Sequence, residues 1–234
     1  VVANGLMGNF QAGNGDPYQI FLPIIQNPVS GSYVSNAGSD SNPGTLAAPW
    51  RTLQFAVDHA PVGGTLFARG GEFTGFDTSR SNLTLRSYPG ESVAIRGNGS
   101  DTYTVAIRNA TNFQITGINF QNNQLQYSAG IFIENSTGIT IRNNIFSNHR
   151  GFGVVTKNVT DISIQGNDIY NNANAIEIRY GSQNVQILNN SIHDNTRDVD
   201  GGRSAIGITL YYTSGPVLIS GNRLWGNHTV EVPD

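Results

Sequence analysis

The sequence has no cysteine. It can build no disulfide frame, no thiol nucleophile and no Cys-ligated metal centre. It has one lysine, Lys157, among 13 basic residues, which face 16 acidic ones for a net charge of -3. That balance excludes a nucleic-acid binder that works by neutralising many phosphates. Charged residues are only 12% of the 234, too few for a coiled coil. No run approaches the ~20 apolar residues of a spanning helix, so no membrane span is expected. No glycine-rich loop opens a helical pattern, so no phosphate cradle is read. The chain opens at Val1 without a visible signal peptide, as expected of a mature or trimmed product.

What is abundant is glycine and asparagine, 28 of each. Both favour turns. Between the turns runs a repeat. Short apolar alternations read Phe113-Gln-Ile115, Ile139-Thr-Ile141, Ile162-Ser-Ile164, Val185-Gln-Ile187 and Val217-Leu-Ile219. Each is the period-2 signature of a strand with one buried face. Their last residues are spaced by 26, 23, 23 and 32. A second apolar column, Phe120, Phe146, Ile169, Ile192 and Leu224, keeps the same spacings. Two residues before it stand Asn144, Asn167, Asn190 and Asn222, with Ile118 on the first rung.

A short-strand repeat with Asn/Gly turns indicates a solenoid. The leucine-rich pattern is missing, and a parallel β-helix fits. Coils stacked at about 4.8 Å place equivalent residues above one another. The Asn column then becomes a buried amide ladder with a structural role. A further strand opens each coil: Ile131-Phe-Ile133, Gly153-Val-Val155, Ile176-Glu-Ile178 and Ile208-Thr-Leu210. Leu83-Thr-Leu85, Val93-Ala-Ile95 and Val105-Ala-Ile107 suggest earlier coils, and about seven are expected. Residues 1–30 lack the repeat and form an N-terminal extension. The β-helix domain occupies 31–234. One helix is expected at about 50–60, with Leu53, Ala56, Val57 and Ala60 on its inner face, capping the N-terminal end. His59 is read as a surface residue of that helix. No C-terminal cap is evident, so further domains, a partner or the tail are expected to cover the last coil.

The stretch Tyr33-Val-Ser-Asn-Ala-Gly-Ser-Asp-Ser-Asn-Pro-Gly-Thr-Leu-Ala-Ala-Pro-Trp-Arg-Thr-Leu-Gln-Phe-Ala-Val57, followed by Gly63-Gly-Thr-Leu-Phe-Ala-Arg-Gly-Gly-Glu-Phe-Thr-Gly75, resembles the opening of secreted right-handed β-helix proteins. Many of these are polysaccharide lyases of the pectate lyase 9 kind. The resemblance spans about residues 31–229. It implies an all-β, right-handed parallel β-helix, a secreted or cell-surface setting and an acidic polysaccharide as partner. It also implies β-elimination, in which a Lys or Arg takes the proton beside a uronate carboxylate and calcium often neutralises that carboxylate.

Such chemistry needs positive charge beside the developing enediolate and a lysine whose pKa is lowered. Lys157 is the one lysine available as base. Setting Gly153-Val-Val155 against Ile176-Glu-Ile178 pairs Arg179 with Thr156 and Tyr180 with Lys157. Glu134, Lys157, Glu177, Arg179 and Tyr180 are then expected on one outer strip. In this reading Arg179 stabilises the enolate, and Tyr180 or His193 donates the proton.

The longest interval of the repeat carries the one charged insertion, around 193–203. It holds Asp194, Arg197, Asp198, Asp200 and Arg203. Glu177, Asp198 and Asp200 are the expected calcium ligands. On the second reading Asp198 and Asp200 pair with Arg197 and Arg203 as solvated ions. Two other functions stay open. Glu177 with Asp198 or Asp200 makes a carboxylate pair for glycoside hydrolysis. A non-catalytic carbohydrate-binding or cell-surface module needs no such residues, and Tyr180, Tyr211, Tyr212 and Trp225 would then form a sugar-stacking surface or cover the outer sheet.

Overall fold

A computed structural model describes residues 30–97, 100–196 and 206–228. The N-terminal segment 1–29, and with it the apolar run at 20–25, lies outside the described residues. Apart from the helix Leu53–His59, every regular element is a β-strand.

The strands form three parallel sheets. Sheet A runs through Ser32–Val34, Thr65–Ala68, Leu83–Ser87, Phe113–Thr116, Thr137–Arg142, Thr160–Gln165, Gln183–Leu188 and Val217–Ser220. Sheet B takes Gly71–Thr74, Val93–Arg96, Asn119–Gln121, Ile145–Ser147, Asp168–Tyr170, Ser191–His193 and Arg223–Trp225. Sheet C takes Phe76–Thr78, Tyr103–Arg108, Ala129–Glu134, Phe152–Lys157, Asn174–Arg179 and Ile206–Tyr211. The chain visits A, B and C in turn, so each circuit is one coil of a parallel β-helix. The triplets at Leu83, Val93 and Val105, expected to mark separate early coils, are three sides of a single coil.

The core consists of the expected apolar columns. Phe113, Ile139, Ile162 and Val185 stack in sheet A, and Phe120, Phe146, Ile169 and Ile192 in sheet B, all buried. Phe120 and Phe146 stack at 4.9 Å between centroids. Each such side chain contributes about 1.5–3 kcal/mol by leaving water.

The corner from A to B is two residues long in every coil from Gly117-Ile118 onward. Its first residue, Gly117, Asn143, Gly166, Asn189 or Gly221, has positive φ, which glycine and asparagine tolerate. Its second is the ladder residue. Asn167 Nδ2 donates to Ile141 O at 3.0 Å and to Asn190 Oδ1 at 2.9 Å. Its Oδ1 accepts the Asn144 backbone N–H at 3.0 Å. Buried amides are thereby satisfied between coils. A second ladder, unread in the sequence, runs down the B-to-C corner through Asn172, Asn195 and Asn227. It repeats with the same intervals, so the same alignment holds its signal.

The N-terminal end is closed as expected. Leu53, Ala56, Val57 and Ala60 are buried against it. Thr52 caps the helix by accepting the Phe55 N–H, and Asp40 accepts the Arg51 and Thr52 N–H groups at 2.8 and 2.9 Å. His59 stacks on Phe55 at 3.8 Å on the outer side. At the other end, Leu210, Ile219 and Leu224 are 43%, 45% and 51% exposed, against 0% for Ile178, Ile187 and Ile192 one coil earlier.

Candidate functional site

The outer face of sheet C carries two side-chain columns set by its register. One reads Asp77, Ala106, Phe132, Val155, Glu177 and Thr209. The other reads Arg108, Glu134, Lys157, Arg179 and Tyr211. Lys157 therefore pairs with Arg179, and Thr156 with Ile178. The expected alignment was one residue out. Its apolar triplet was set by Val155, but the inward positions are Val154 and Thr156. Thr156 is a buried hydroxyl 3.4 Å from Ser182 Oγ, and that polar residue broke the pattern.

An apolar floor lies between the charges. Ala129, Phe132, Phe152 and Val155 are buried although they stand outside the coil. Tyr103 stacks on Phe132 at 4.2 Å. The Arg108 guanidinium lies 5.5 Å from the Phe132 ring, and that of Arg179 lies 5.1 Å from Phe152.

The charges are paired. Lys157 Nζ donates to Glu134 Oε1 at 2.8 Å. Arg108 bonds Asp77 and has its Nε 3.9 Å from Glu134. Arg179 Nε donates to Glu177 Oε1 at 2.5 Å. Hydrogen bonding to the Glu134 carboxylate, reinforced by its charge, raises the Lys157 pKa. A lysine base needs the opposite shift.

At the C-terminal end of this face a cleft of about 430 Å³ is lined by Tyr127, Phe152, Glu177, Arg179, Tyr180 and Tyr211, among others. Glu177, Arg179 and Tyr180 thus share one cleft, and Lys157 stands in register beside Arg179. His193 does not join them. It ends a sheet B strand, stacked between Tyr170 at 5.1 Å and Trp225 at 4.4 Å. Asp194 and Asp168 contact its Nδ1 and Nε2 at 2.8 and 3.1 Å. Trp225 belongs to that stack and so lies on a different sheet from the three tyrosines.

Asp198 and Asp200 lie outside the described residues, as do Arg197 and Arg203. Among the described residues, no three His, Asp or Glu side chains converge as metal ligands. Glu177, the one expected calcium ligand among the described residues, is paired with Arg179.

The backbone holds a feature that the sequence did not disclose. The residue after the charged column is Asn109, Asn135 and Asn158 in three coils, all with positive φ. In the next two coils it is Tyr180 (φ 30°) and Tyr212 (φ 51°). Tyr127, on the rim of the same cleft, has φ 58°. Every other described non-glycine residue with positive φ is Asn or Asp. A side chain such as tyrosine pays about 1–2 kcal/mol for this conformation.

Three comparisons place the chain. The family described as "Right handed beta helix region" matches residues 81–232. "Pectate lyase PEL9" of Emericella nidulans is 44% identical over 75 residues, covering 28% of this chain and 18% of that protein. "Uncharacterized protein YwoF" of Bacillus subtilis is 30% identical over 128 residues, covering 48% and 27%. A solved "Rhamnogalacturonan lyase" shares the fold with a TM-score of 0.60 at 13% identity, over 84% of this chain and 68% of that one. The chain spans only about a quarter or less of the curated relatives it matches. The match to residues 81–232, together with three parallel sheets wound in successive coils, makes this chain a member of the right-handed β-helix family.

Proposed function

We propose that the outer face of sheet C binds an extended acidic polysaccharide of the pectic class and cleaves it by β-elimination. The observation that carries this reading is the register of Lys157 with Arg179 beside a cleft walled by tyrosines. The kinship with a pectate lyase over 75 residues supports the substrate class. In the proposed step Arg179 faces the uronate carboxylate. Neutral Lys157 takes the adjacent proton, the electron pair forms the ring double bond, and the 4-linked oxygen leaves with a proton from Tyr180. A secreted or cell-surface setting goes with such a substrate.

A second reading is favoured by the Lys157–Glu134 bond, which keeps the ammonium charged. A charged lysine binds a carboxylate but takes no proton, as in a non-catalytic glycan-binding module. One experiment separates the two. Polygalacturonate is incubated with the protein, with calcium and with chelator, and the ultraviolet absorbance of the unsaturated uronate is followed. A rise that Lys157→Ala abolishes supports the lyase. A flat trace from a protein that still binds the polymer sinks it in favour of the module.

A further inference from the structure

Tyr180, which lines the C-terminal cleft, and Tyr212 in the next coil occupy a position that the scaffold fills with asparagine in three earlier coils. Tyr180 follows Arg179 as Asn158 follows Lys157, Asn135 follows Glu134 and Asn109 follows Arg108. Asn158 and Asn135 bond each other between coils at 2.8 Å, so asparagine is the residue that suits this corner. Tyrosine suits it poorly, because the left-handed backbone crowds its Cβ. Tyr127, Tyr180 and Tyr212 nevertheless all adopt it. They are 55%, 47% and 72% exposed, so core packing does not explain them.

The rings of Tyr180 and Tyr212 are ordered against one another and against Tyr211, while Tyr127 stands on the cleft's rim. Tyr180 and Tyr212 stack at 5.9 Å with planes 20° apart. Tyr211 stands edge-on to both, at 5.3 and 4.5 Å. Below them the cleft offers polar groups suited to sugar hydroxyls. Asn174, Glu177 and Arg179 line it, and Thr209 Oγ1 is buried there without a hydrogen-bond partner. Strain retained at exposed aromatic residues around a cleft indicates a function the scaffold does not need.

We propose that Tyr127, Tyr180 and Tyr212 are a platform that stacks on the apolar face of a pyranose ring, held in strained backbone for that purpose. This makes Tyr180 a determinant of glycan affinity. It rests on the reading that a glycan occupies sheet C, but it does not require that glycan to be acidic or cleaved.

The test uses Tyr180→Asn, Tyr180→Phe and Tyr212→Asn. Binding to polygalacturonate and to neutral galactan oligosaccharides is measured by calorimetry, and thermal midpoints are recorded in parallel. Tyr180→Asn is expected to raise the midpoint by about 2–4 °C. It should weaken binding roughly 10-fold through the lost ring. Tyr212→Asn should move both readings in the same directions, whereas Tyr180→Phe should keep the affinity. A lower midpoint with Tyr180→Asn would show a structural tyrosine and overturn the proposal, as would a raised midpoint with unchanged binding. Binding of the neutral glycan alone would overturn the acidic-substrate reading and leave the platform standing. Binding of neither glycan overturns both.

Discussion

Glu134 and Lys157 are register partners on adjacent coils, and the 2.8 Å bond between them holds the chain's one lysine in its charged form. The pair stands half in water, with the lysine side chain 48% exposed. Arg179 faces Lys157 from the next strand.

Because Glu134 raises the Lys157 pKa, Glu134→Gln should lower it. Isotopic labelling of lysine gives one side-chain signal, whose titration reads the shift directly. If Lys157 is the base, the activity of Glu134→Gln should set in at lower pH than that of the wild type, since the neutral amine is reached earlier. An unchanged titration would remove Glu134 from the account.

Arg179 donates to Glu177 and covers Phe152 in the same cleft. Arg179→Ala should reduce turnover of polygalacturonate by roughly 100-fold or more if it stabilises the enediolate. Arg179→Lys should recover little, because the ammonium lacks the planar fork. Steady-state kinetics would show the loss mainly in kcat. A loss confined to KM would make Arg179 a binding residue only.

The amide ladder makes a graded stability prediction. Asn167→Ala leaves the Asn144 N–H and the Ile141 carbonyl without their buried partners. It should cost about 3 kcal/mol. Asn222, near the exposed end, makes fewer buried bonds, and Asn222→Ala should cost about 1 kcal/mol. Urea unfolding of the two variants compares them, and equal costs would contradict the ladder as a load carried between coils.

The capped end should be the acid-sensitive one. Hydrogen bonds from Arg69 lower the Glu91 pKa against the opposing effect of burial, and the Gly70 N–H adds to them. At Asp40, burial pushes the pKa up, but hydrogen bonds from Thr52 and Arg51 bring it below the ordinary value. A depressed carboxylate pKa stabilises the fold above the unfolded-state value, and the contribution disappears as pH falls through the folded-state value. Glu91→Gln should therefore lose about 1 kcal/mol at neutral pH, reduced by partial exposure, and nothing at strongly acidic pH. Thermal midpoints across pH check the convergence.

The solenoid was legible because its signals are periodic. Ile141, Ile164 and Ile187 recur with Asn144, Asn167 and Asn190 at a fixed offset, and burial in stacked coils demands both. The cap helix was legible from Leu53, Ala56 and Val57. The site was legible only in part. Glu177, Arg179 and Tyr180 line one cleft, and the buried hydroxyl of Thr156 hid the register of Lys157 with Arg179. The repeat aligns His193 with Ser147, Tyr170 and Trp225, and the coil does carry it to sheet B, away from the sheet C residues it was expected to assist. The ion pairs depend on side-chain geometry that no spacing encodes. The strain at Tyr127, Tyr180 and Tyr212 depends on φ, which a tyrosine does not announce.

From Gly117-Ile118 onward the corner from A to B keeps two residues in coil after coil. The corners that flank sheet C do not. Between sheets B and C the connection runs from 171–173 in one coil to 194–205 in another, and the exit from sheet C lengthens at 180–182 and 212–216. From Gly117 onward, the freedom to grow or shrink therefore borders one wall. The Asn-locked edge acts as a spine, and the opposite edges behave like interchangeable tooling around the recognition surface. Such a molecule can be refitted for another polymer by rewriting its connections, while the stacked columns behind them stay in register.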